Sequence, residues 1–181
     1  MKKILIIILI MFNFLGKANA NYDQLAHEFN FKGISGDIID LKDYKGKIIV
    51  VVNVASRCGF TNQYDDLQNL WSNYKENNLV VIGVPSNNFK QEPGTNKDIK
   101  NFCETNFNVN FPMTEKLDVI GSNAHPFFKW AKNNHGPSAI PKWNFHKIIV
   151  GKDGKIADTF SSITRPSSKK FTNLIDIEIK K

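Results

Sequence analysis

Residues 48–63 read IIVVVNVASRCGFTNQ, and this stretch decides the fold. Its first part, Ile48 to Val54, is almost continuously apolar and β-branched, which is typical of a strand covered on both faces. A helix is expected over Asn62 to Glu76, where apolar residues recur at three- and four-residue spacing and form one buried stripe. A second buried strand is predicted at Leu79 to Val84. The three elements form a βαβ unit whose strands pair in parallel through a right-handed crossover.

The rest of the chain adds elements on both sides of this unit. Short apolar stretches from Phe29 to Leu41 predict a small N-terminal hairpin. After a loop, the pattern predicts helices over Asn96–Thr105 and His125–Asn133, a strand around Met113, a hairpin of Phe145–Val150 and Ile156–Phe160, and a terminal helix after Pro166. A parallel βαβ unit followed by an antiparallel hairpin and a closing helix is the arrangement of the thioredoxin fold. The sequence therefore predicts an α/β protein with a central mixed sheet flanked by helices.

The composition is that of an ordinary globular protein. The 181 residues carry a formal net charge of +7, with 41% hydrophobic and 23% charged side chains, which excludes a disordered or low-complexity chain. The basic residues are scattered and only Arg57 and Arg165 are arginine, so we expect no nucleic-acid-binding surface. The four histidines have no metal-ligand spacing, and we expect no metal and no other cofactor. Two cysteines are too few for a disulfide scaffold and become candidates for chemistry.

The first twenty residues have the pattern of a secretory signal peptide. Lys2 and Lys3 precede an apolar run from Ile4 to Leu15, and Ala18-Asn19-Ala20 is a small-residue cleavage pattern. The alternative is a membrane anchor, but the run is shorter than the roughly 20 residues that a spanning helix needs. We therefore expect residues 1–20 to be cleaved. Residues 21–181 would form one exported domain, periplasmic or secreted, without stable membrane insertion.

Cys58 follows the first buried strand by four residues and comes just before a helix. The carboxyl edge of a parallel sheet is where open α/β folds place their ligand crevices. Amides at a helix N-terminus favour the thiolate, which is the form that attacks peroxides and disulfides. The other interpretation of Cys58 is a small buried hydrophobic residue, as most free cysteines are. Position 61 is threonine, so Cys58 has no Cys-x-x-Cys partner, which disfavours a disulfide-exchange enzyme of the ordinary thioredoxin kind.

Three blocks of the sequence resemble the signatures of the glutathione peroxidase family. They are NVASRCGFT at 53–61, QEPG at 91–94 and KWNF at 142–145, and the resemblance runs from about Tyr22 to Ile179. It implies a peroxidase that reduces hydrogen peroxide or organic hydroperoxides, with Cys58 as the peroxidatic cysteine. Gln91, Trp143 and Asn144 match the rest of the family's catalytic tetrad. Their amide and indole groups are neutral donors, suited to stabilising a thiolate and a leaving oxygen.

Cys103, on the helix after the Gln91 loop, matches the resolving cysteine of family members that form an internal disulfide. The resemblance implies that peroxide converts Cys58 into a sulfenic acid, with which Cys103 condenses. From spacing alone, a packed helix thiol beside Phe102 is an equally good interpretation. If Cys103 is packed, residues 95–110 must move or partly unfold, because disulfides need Cα atoms within about 7 Å.

The partners are also implied by the resemblance. Serine stands at position 86, where many relatives have a further cysteine, and Asn88 and Lys90 stand where Gln and Gly are common. The arginines that tetrameric animal enzymes offer to glutathione have no evident counterpart, and the segment 133–141 is short. We therefore expect a monomer whose reductant is a thioredoxin-like protein in preference to glutathione. The rival hypotheses are a redox relay that passes its disulfide to a partner protein, and a non-enzymatic domain with a permanent bridge.

Overall fold

The computed structural model describes residues 22–181. A small antiparallel hairpin, β1 (Asn30–Lys32) and β2 (Ile38–Asp40), comes first. The main sheet contains β3 (Ile48–Val54), β4 (Leu79–Pro85), β5 (Lys147–Val150) and β6 (Ile156–Phe160). The helices are α1 (Gln63–Tyr74), α2 (Asn96–Phe107), α3 (Pro126–His135) and α4 (Lys169–Lys180). Each lies where the sequence pattern predicts a helix.

The main sheet is mixed, in the order β4-β3-β5-β6. Strand β3 pairs in parallel with β4, from Ile48 opposite Leu79 to Val54 opposite Pro85, and pairs antiparallel with β5. Strands β5 and β6 form the antiparallel hairpin. Every residue of β3 and β4 is buried, which accounts for their nearly continuous apolar sequence. The predicted thioredoxin-like α/β architecture is confirmed.

The two faces of the sheet support separate apolar clusters. Because side chains alternate along a strand, Val50 and Val52 face the layer of α1, α2 and α4, whereas Val51 faces the layer of α3 and the β1–β2 hairpin. Cys58 and Cys103 both belong to the first cluster. The sheet therefore places both sulfur atoms on the same side of the molecule.

The prediction of a strand around Met113 is wrong. Met113 forms an isolated parallel bridge with Gly83 of β4, and Thr114 forms an isolated antiparallel bridge with Gly33. Pro112 has no backbone N–H with which to extend a ladder. Met113 lies so close to Gly83 that a Cβ atom there would collide with the methionine sulfur. The segment is thus a tight backbone contact rather than a strand.

The expected signal peptide, residues 1–20, lies outside the described residues. Within residues 22–181, no helix is long and apolar enough to cross a membrane. Export of the chain stays a prediction from its sequence.

Candidate active site

Cys58 lies in the turns that connect β3 with α1. The amide of Thr61 donates to the Cys58 carbonyl at 3.1 Å, and the amide of Phe60 points at the Cys58 sulfur from 3.5 Å. Helix α1 begins five residues after Cys58, so the donor nearest to the sulfur belongs to this turn and not to the helix itself. An N–H directed at sulfur stabilises a thiolate. Cys58 is 4% exposed, so the sulfur is more enclosed than the sequence argument expected.

Gln91 and Asn144 meet beside the Cys58 turn. The Asn144 side-chain amide donates to the Gln91 Oε1 atom at 2.8 Å, across 53 residues of sequence. The Gln91 carbonyl accepts from the amide of Arg57, the residue before Cys58, at 3.0 Å. This hydrogen bond orients the Gln91 amide with its oxygen toward Asn144. The NH₂ group of Gln91 therefore points away from Asn144 and can donate to another acceptor. The arrangement orients one neutral donor group next to the turn that carries the thiol.

The turn before β5 places Trp143 and Asn144 beside the Gln91 loop. Asn53 of β3 anchors this turn. The Asn53 side chain donates to the Trp143 carbonyl at 3.2 Å and accepts from the His146 amide at 3.1 Å. Phe145 has a left-handed backbone with a φ of 64°, which is uncommon for a bulky residue. Its amide donates to the Asn53 carbonyl, and its ring is buried in the core. Strain of this kind is held where the surroundings determine it, often at functional sites.

Trp143 forms the exposed side of the site. Its side chain is 41% exposed, and its ring packs on Phe89 with 5.5 Å between the ring centroids. Phe89 comes from the same loop as Gln91. The indole therefore joins the two segments that carry Gln91 and Asn144, and part of it faces solvent.

Glu92 anchors the turn that carries Cys58 through hydrogen bonds with Ser56. Its buried carboxylate accepts from the Ser56 amide at 2.7 Å and from the Ser56 hydroxyl at 2.9 Å. Burial raises the pKa of Glu92, while the two hydrogen bonds from Ser56 act in the opposite direction. The Lys116 ammonium donates to the Gly94 carbonyl at 2.6 Å and ties the end of the same loop to the segment after Met113. The loop that carries Gln91 is thus fixed at several points.

The positions that differ from the family pattern have structural roles here. The Ser86 hydroxyl is buried and donates to Asn88 Oδ1 at 2.9 Å. The same oxygen accepts from the amide of Val119 at 2.7 Å, so Asn88 joins the Gln91 loop to the segment before α3. Lys90 has a φ of 58°, the left-handed region in which glycine is unstrained. The lysine is tolerated at the cost of some backbone strain.

Cys103 lies in the middle of α2 and is packed against the core. It is 1% exposed, and burial raises the pKa of its thiol to about 11. The thiol is therefore neutral at physiological pH, which makes it a poor nucleophile. Both cysteines are free in the structure. Hydrogen bonds and ring packing connect the segments of Gln91, Asn144 and Trp143 to the Cys58 turn. Cys103 lies on the buried face of α2, in the same apolar cluster as Cys58.

Comparison with known proteins gives the family. A family model described as Glutathione peroxidase matches residues 26–132. The chain belongs to the glutathione peroxidase family. It is 40% identical over 156 residues to the hydroperoxy fatty acid reductase gpx1 of Synechocystis sp., a match that covers 81% of this chain and 92% of the relative.

Two further similarities support the same conclusion. The chain is 42% identical over 147 residues to the glutathione peroxidase-like peroxiredoxin 2 of Saccharomyces cerevisiae, covering 78% of this chain and 90% of that protein. The crystal structure of Trgpx in apo form is 34% identical with a TM-score of 0.70, and the match covers 88% of this chain and 97% of that one. The expected family, thioredoxin-like fold and peroxidase activity are confirmed. The chain is a thiol peroxidase that reduces hydroperoxides.

A buried lysine of this glutathione peroxidase was missed by sequence reasoning. Lys147 on β5 is fully buried and donates to Gln63 Oε1 and to the Thr164 carbonyl, the latter at 2.7 Å. Burial lowers the pKa of Lys147 to about 7, and burial together with the Lys147 charge lowers that of the neighbouring His146 to about 4. Gln63 in turn donates to the Ser162 carbonyl, so this cluster fixes the start of α1. The sequence signal for this buried lysine is its position between aromatic and β-branched residues, in FHKIIV at 145–150.

Asn53 is the second residue of the candidate site whose role the sequence did not indicate. It is the single polar residue within the apolar run of β3, and buried polar groups need partners. That requirement could have marked Asn53 as an anchor for another segment.

Among the described residues, no group of three or more His, Cys, Asp or Glu side chains could hold a metal ion.

Proposed function

We propose that Cys58 is the peroxidatic cysteine and Cys103 the resolving cysteine of this peroxidase. The observation that carries the proposal is the hydrogen bond between Asn144 and Gln91 beside the Cys58 turn. It presents a donor amide that can hydrogen-bond the thiolate before the attack and then the leaving oxygen, on which negative charge develops as the sulfur loses it. The exposed indole of Trp143 supplies a second neutral donor at the same edge.

The first step is attack of the Cys58 thiolate on the outer oxygen of a hydroperoxide. A sulfur–oxygen bond forms and the oxygen–oxygen bond breaks, which leaves a sulfenic acid and releases water or an alcohol after protonation. The Phe60 amide stabilises the thiolate before the attack. Gln91 and Trp143 hydrogen-bond the departing oxygen.

The second step joins the two sulfur atoms. Cys103 attacks the Cys58 sulfenic acid, a disulfide forms and water leaves. A dithiol protein of thioredoxin type then reduces the disulfide and becomes oxidised itself. The name of the yeast relative, a glutathione peroxidase-like peroxiredoxin, supports this cysteine-based cycle. Glutathione is the alternative reductant.

The substrate, location and assembly complete the proposal. The relative from Synechocystis is named a hydroperoxy fatty acid reductase, which supports organic hydroperoxides as substrates beside hydrogen peroxide. The sequence of residues 1–20 supports export, in which case the reductant must be an exported thioredoxin-like protein or a small thiol. The short connection from α3 to β5 favours a monomer.

A peroxidase assay supplied in parallel with a thioredoxin system and with glutathione tests the mechanism. Cys58→Ser should abolish turnover with either reductant. Cys103→Ser should lose thioredoxin-linked turnover while one equivalent of peroxide is still consumed. Continued thioredoxin-linked turnover by Cys103→Ser would remove the resolving role, and residual peroxide reduction by Cys58→Ser would remove the peroxidatic one.

A further inference from the structure

Tyr64, the second residue of α1, carries a buried hydroxyl group without a partner. Its side chain is fully buried, and its hydroxyl oxygen forms no hydrogen bond within residues 22–181. A buried polar group that loses its hydrogen bonds to water lowers the stability of the fold, whereas phenylalanine would fill the same space without that cost. Such a group calls for an explanation, and a redox or catalytic role is one of the few that apply.

The Tyr64 side chain lies against the part of α2 that carries Cys103. Its ring packs on Phe107 with 5.2 Å between the ring centroids and on Phe102 with 6.4 Å. Phe107 follows Cys103 by four residues, so the two share a face of the helix, and Phe102 directly precedes Cys103. Tyr64, Cys103 and Cys58 belong to one buried cluster. The side chain of Tyr64 therefore borders the resolving thiol.

Tyr64 is also fixed to the Cys58 side of the site. Its amide donates to the Thr61 carbonyl at 2.9 Å, and the Thr61 amide donates to the Cys58 carbonyl. Another edge of the Tyr64 ring packs on Phe145, in the turn before β5, with 5.2 Å between the centroids. Because these contacts do not involve α2, an opening of α2 that releases Cys103 would leave Tyr64 beside Cys58.

The surroundings of Cys103 disfavour a thiolate, and Tyr64 acts against them. Burial raises the pKa of Cys103 to about 11, the Tyr64 hydroxyl acts in the opposite direction, and the carboxylates of Glu92 and Glu104 raise the pKa further. Burial also raises the pKa of the Tyr64 phenol well above its usual value, and negative charge on Cys103, Glu92 or Cys58 has the same effect. The phenol therefore keeps its proton and can only donate it in a hydrogen bond, for which a thiolate is a stronger acceptor than a neutral thiol.

The other charged groups that face Cys103 line a cavity between α2 and the segment 37–43. Lys100 is the cation of this lining, but its ammonium group donates to the Ser35 hydroxyl at 2.9 Å and lies 3.9 Å from the Glu104 carboxylate. The acidic residues of the lining are Asp37, Asp40, Asp43 and Glu104. Since carboxylates outnumber the cation, the charges on this side of Cys103 do not favour a thiolate either.

We propose that the Tyr64 hydroxyl donates a hydrogen bond to the Cys103 thiolate in the resolving step. Cys103 loses its proton, Tyr64 stabilises the charge on the sulfur, and this sulfur attacks the Cys58 sulfenic acid. A sulfur–sulfur bond forms and the sulfur–oxygen bond breaks, and the leaving hydroxide takes up the equivalent of the proton that Cys103 released, which gives water. The inference rests on the proposed function, in which Cys103 resolves the sulfenic acid.

The test follows a single turnover of the full chain at pH values on both sides of about 8.5, the ordinary pKa of a cysteine thiol. Reduced wild type, Tyr64→Phe and Tyr74→Phe are each mixed with one equivalent of hydrogen peroxide and quenched with an alkylating reagent. Mass spectrometry then gives the sulfenic acid on Cys58 and the disulfide at each time. Tyr74→Phe is the matched control, because Tyr74 lies at the opposite end of the same helix and its hydroxyl donates to Asp176 at 3.1 Å.

Tyr64→Phe should slow the conversion of sulfenic acid into disulfide about three- to tenfold near neutral pH. Loss of one hydrogen bond to a charged group costs about tenfold or more. Part of this loss is recovered because the less stabilised thiolate is the better nucleophile. The deficit should shrink as the pH rises, since the resolving thiol then ionises without the donor. Tyr74→Phe should match the wild type at every pH.

Equal rates of disulfide formation in Tyr64→Phe and the wild type at all pH values would overturn the proposal. A deficit that stays constant with pH, or an equal slowing of sulfenic acid formation, would also overturn it, because either result indicates a structural role. If the wild type forms no disulfide between Cys58 and Cys103, the resolving role of Cys103 falls together with this inference. If the disulfide forms at equal rates in both proteins, the role of Tyr64 alone falls.

Unfolding of the reduced proteins in urea provides a second readout. The midpoint for Tyr64→Phe should equal or exceed that of the wild type, because the substitution removes a buried hydroxyl that has no partner. A lower midpoint would show that the hydroxyl is hydrogen-bonded in the reduced fold, which would remove the reason to assign it to the resolving step.

Discussion

Replacing Thr95 with alanine tests whether α2 must open before the two sulfur atoms join. Thr95 is the N-cap of α2: its hydroxyl oxygen accepts from the Asp98 amide at 3.3 Å, and the Asp98 carboxylate accepts from the Thr95 amide at 2.9 Å. Loss of an N-cap side chain destabilises a helix by about 1 kcal/mol. That free energy raises the population of the opened helix about fivefold.

A short apolar face holds α2 against the core. Ile99 and Cys103 are buried, Phe102 and Phe107 are partly buried and pack against the Tyr64 ring, and the helix ends at Asn108, whose left-handed backbone has a φ of 49°. Because Cys103 is packed in a helix and its thiol is neutral, opening of α2 limits the resolving step in our account. Thr95→Ala should therefore speed disulfide formation about fivefold. It should leave the reaction of Cys58 with peroxide unchanged.

The assay is a single turnover followed in time. Reduced protein is mixed with one equivalent of hydrogen peroxide, quenched with an alkylating reagent, and analysed by mass spectrometry for free thiols and disulfide. Ser168→Ala is the matched control, because Ser168 is the N-cap of α4, makes no side-chain capping bond and precedes a helix without cysteine. Hydrogen exchange should show faster opening of α2 in Thr95→Ala. If α2 opens faster while the disulfide forms at the wild-type rate, opening does not limit resolution.

Three further predictions follow from the site and its supports. Asn144→Ala should lower kcat/KM for hydrogen peroxide at least about tenfold, because Gln91 loses the bond that orients its amide; an unchanged value would contradict this role. Glu92→Gln should lower the free energy of unfolding in urea by about 1–2 kcal/mol and slow the peroxide reaction, because Ser56 loses its charged acceptor; wild-type values for both would argue against it. The folded pKa of Lys147 is about 7 against 10.5 for an ordinary lysine, so unfolding takes up a proton between pH 7 and 10.5. Over this interval the free energy of unfolding should rise with pH by up to about 1.4 kcal/mol per unit in the wild type and less steeply in Lys147→Met. Equal slopes for the two proteins would show that Lys147 is charged in the fold.

The central part of the fold could be read from the sequence because its pattern is strong. The run from Ile48 to Val54 is buried on both faces, and α1 buries Leu67 and Leu70 on one stripe, so strand and helix periods are unambiguous. The prediction of a strand around Met113 is wrong because the apolar stretch beside Pro112 has the composition of a strand, while Pro112 lacks the backbone N–H that a ladder needs. Its position depends on contact with Gly83, a tertiary feature that local pattern does not contain.

The site could be predicted only in part. The motif blocks indicated Cys58, Gln91 and Asn144, and the structure brings their segments together through backbone and side-chain hydrogen bonds. The interactions that position the site could not be predicted from the sequence. The left-handed turn at Phe145 is held by Asn53, which lies about 90 positions earlier in the chain. The enclosure of the Cys58 sulfur likewise results from packing of several segments, which residue spacing alone does not specify.

The most direct measurement of the central claim is the mass of the Cys103→Ser protein after one equivalent of hydroperoxide and a sulfenic-acid-trapping reagent such as dimedone. The account predicts a single adduct, located on Cys58 by peptide mapping, and none in the Cys58→Ser protein. Absence of the adduct on Cys58 while the peroxide is consumed would contradict the assignment of this sulfur as the attacking group.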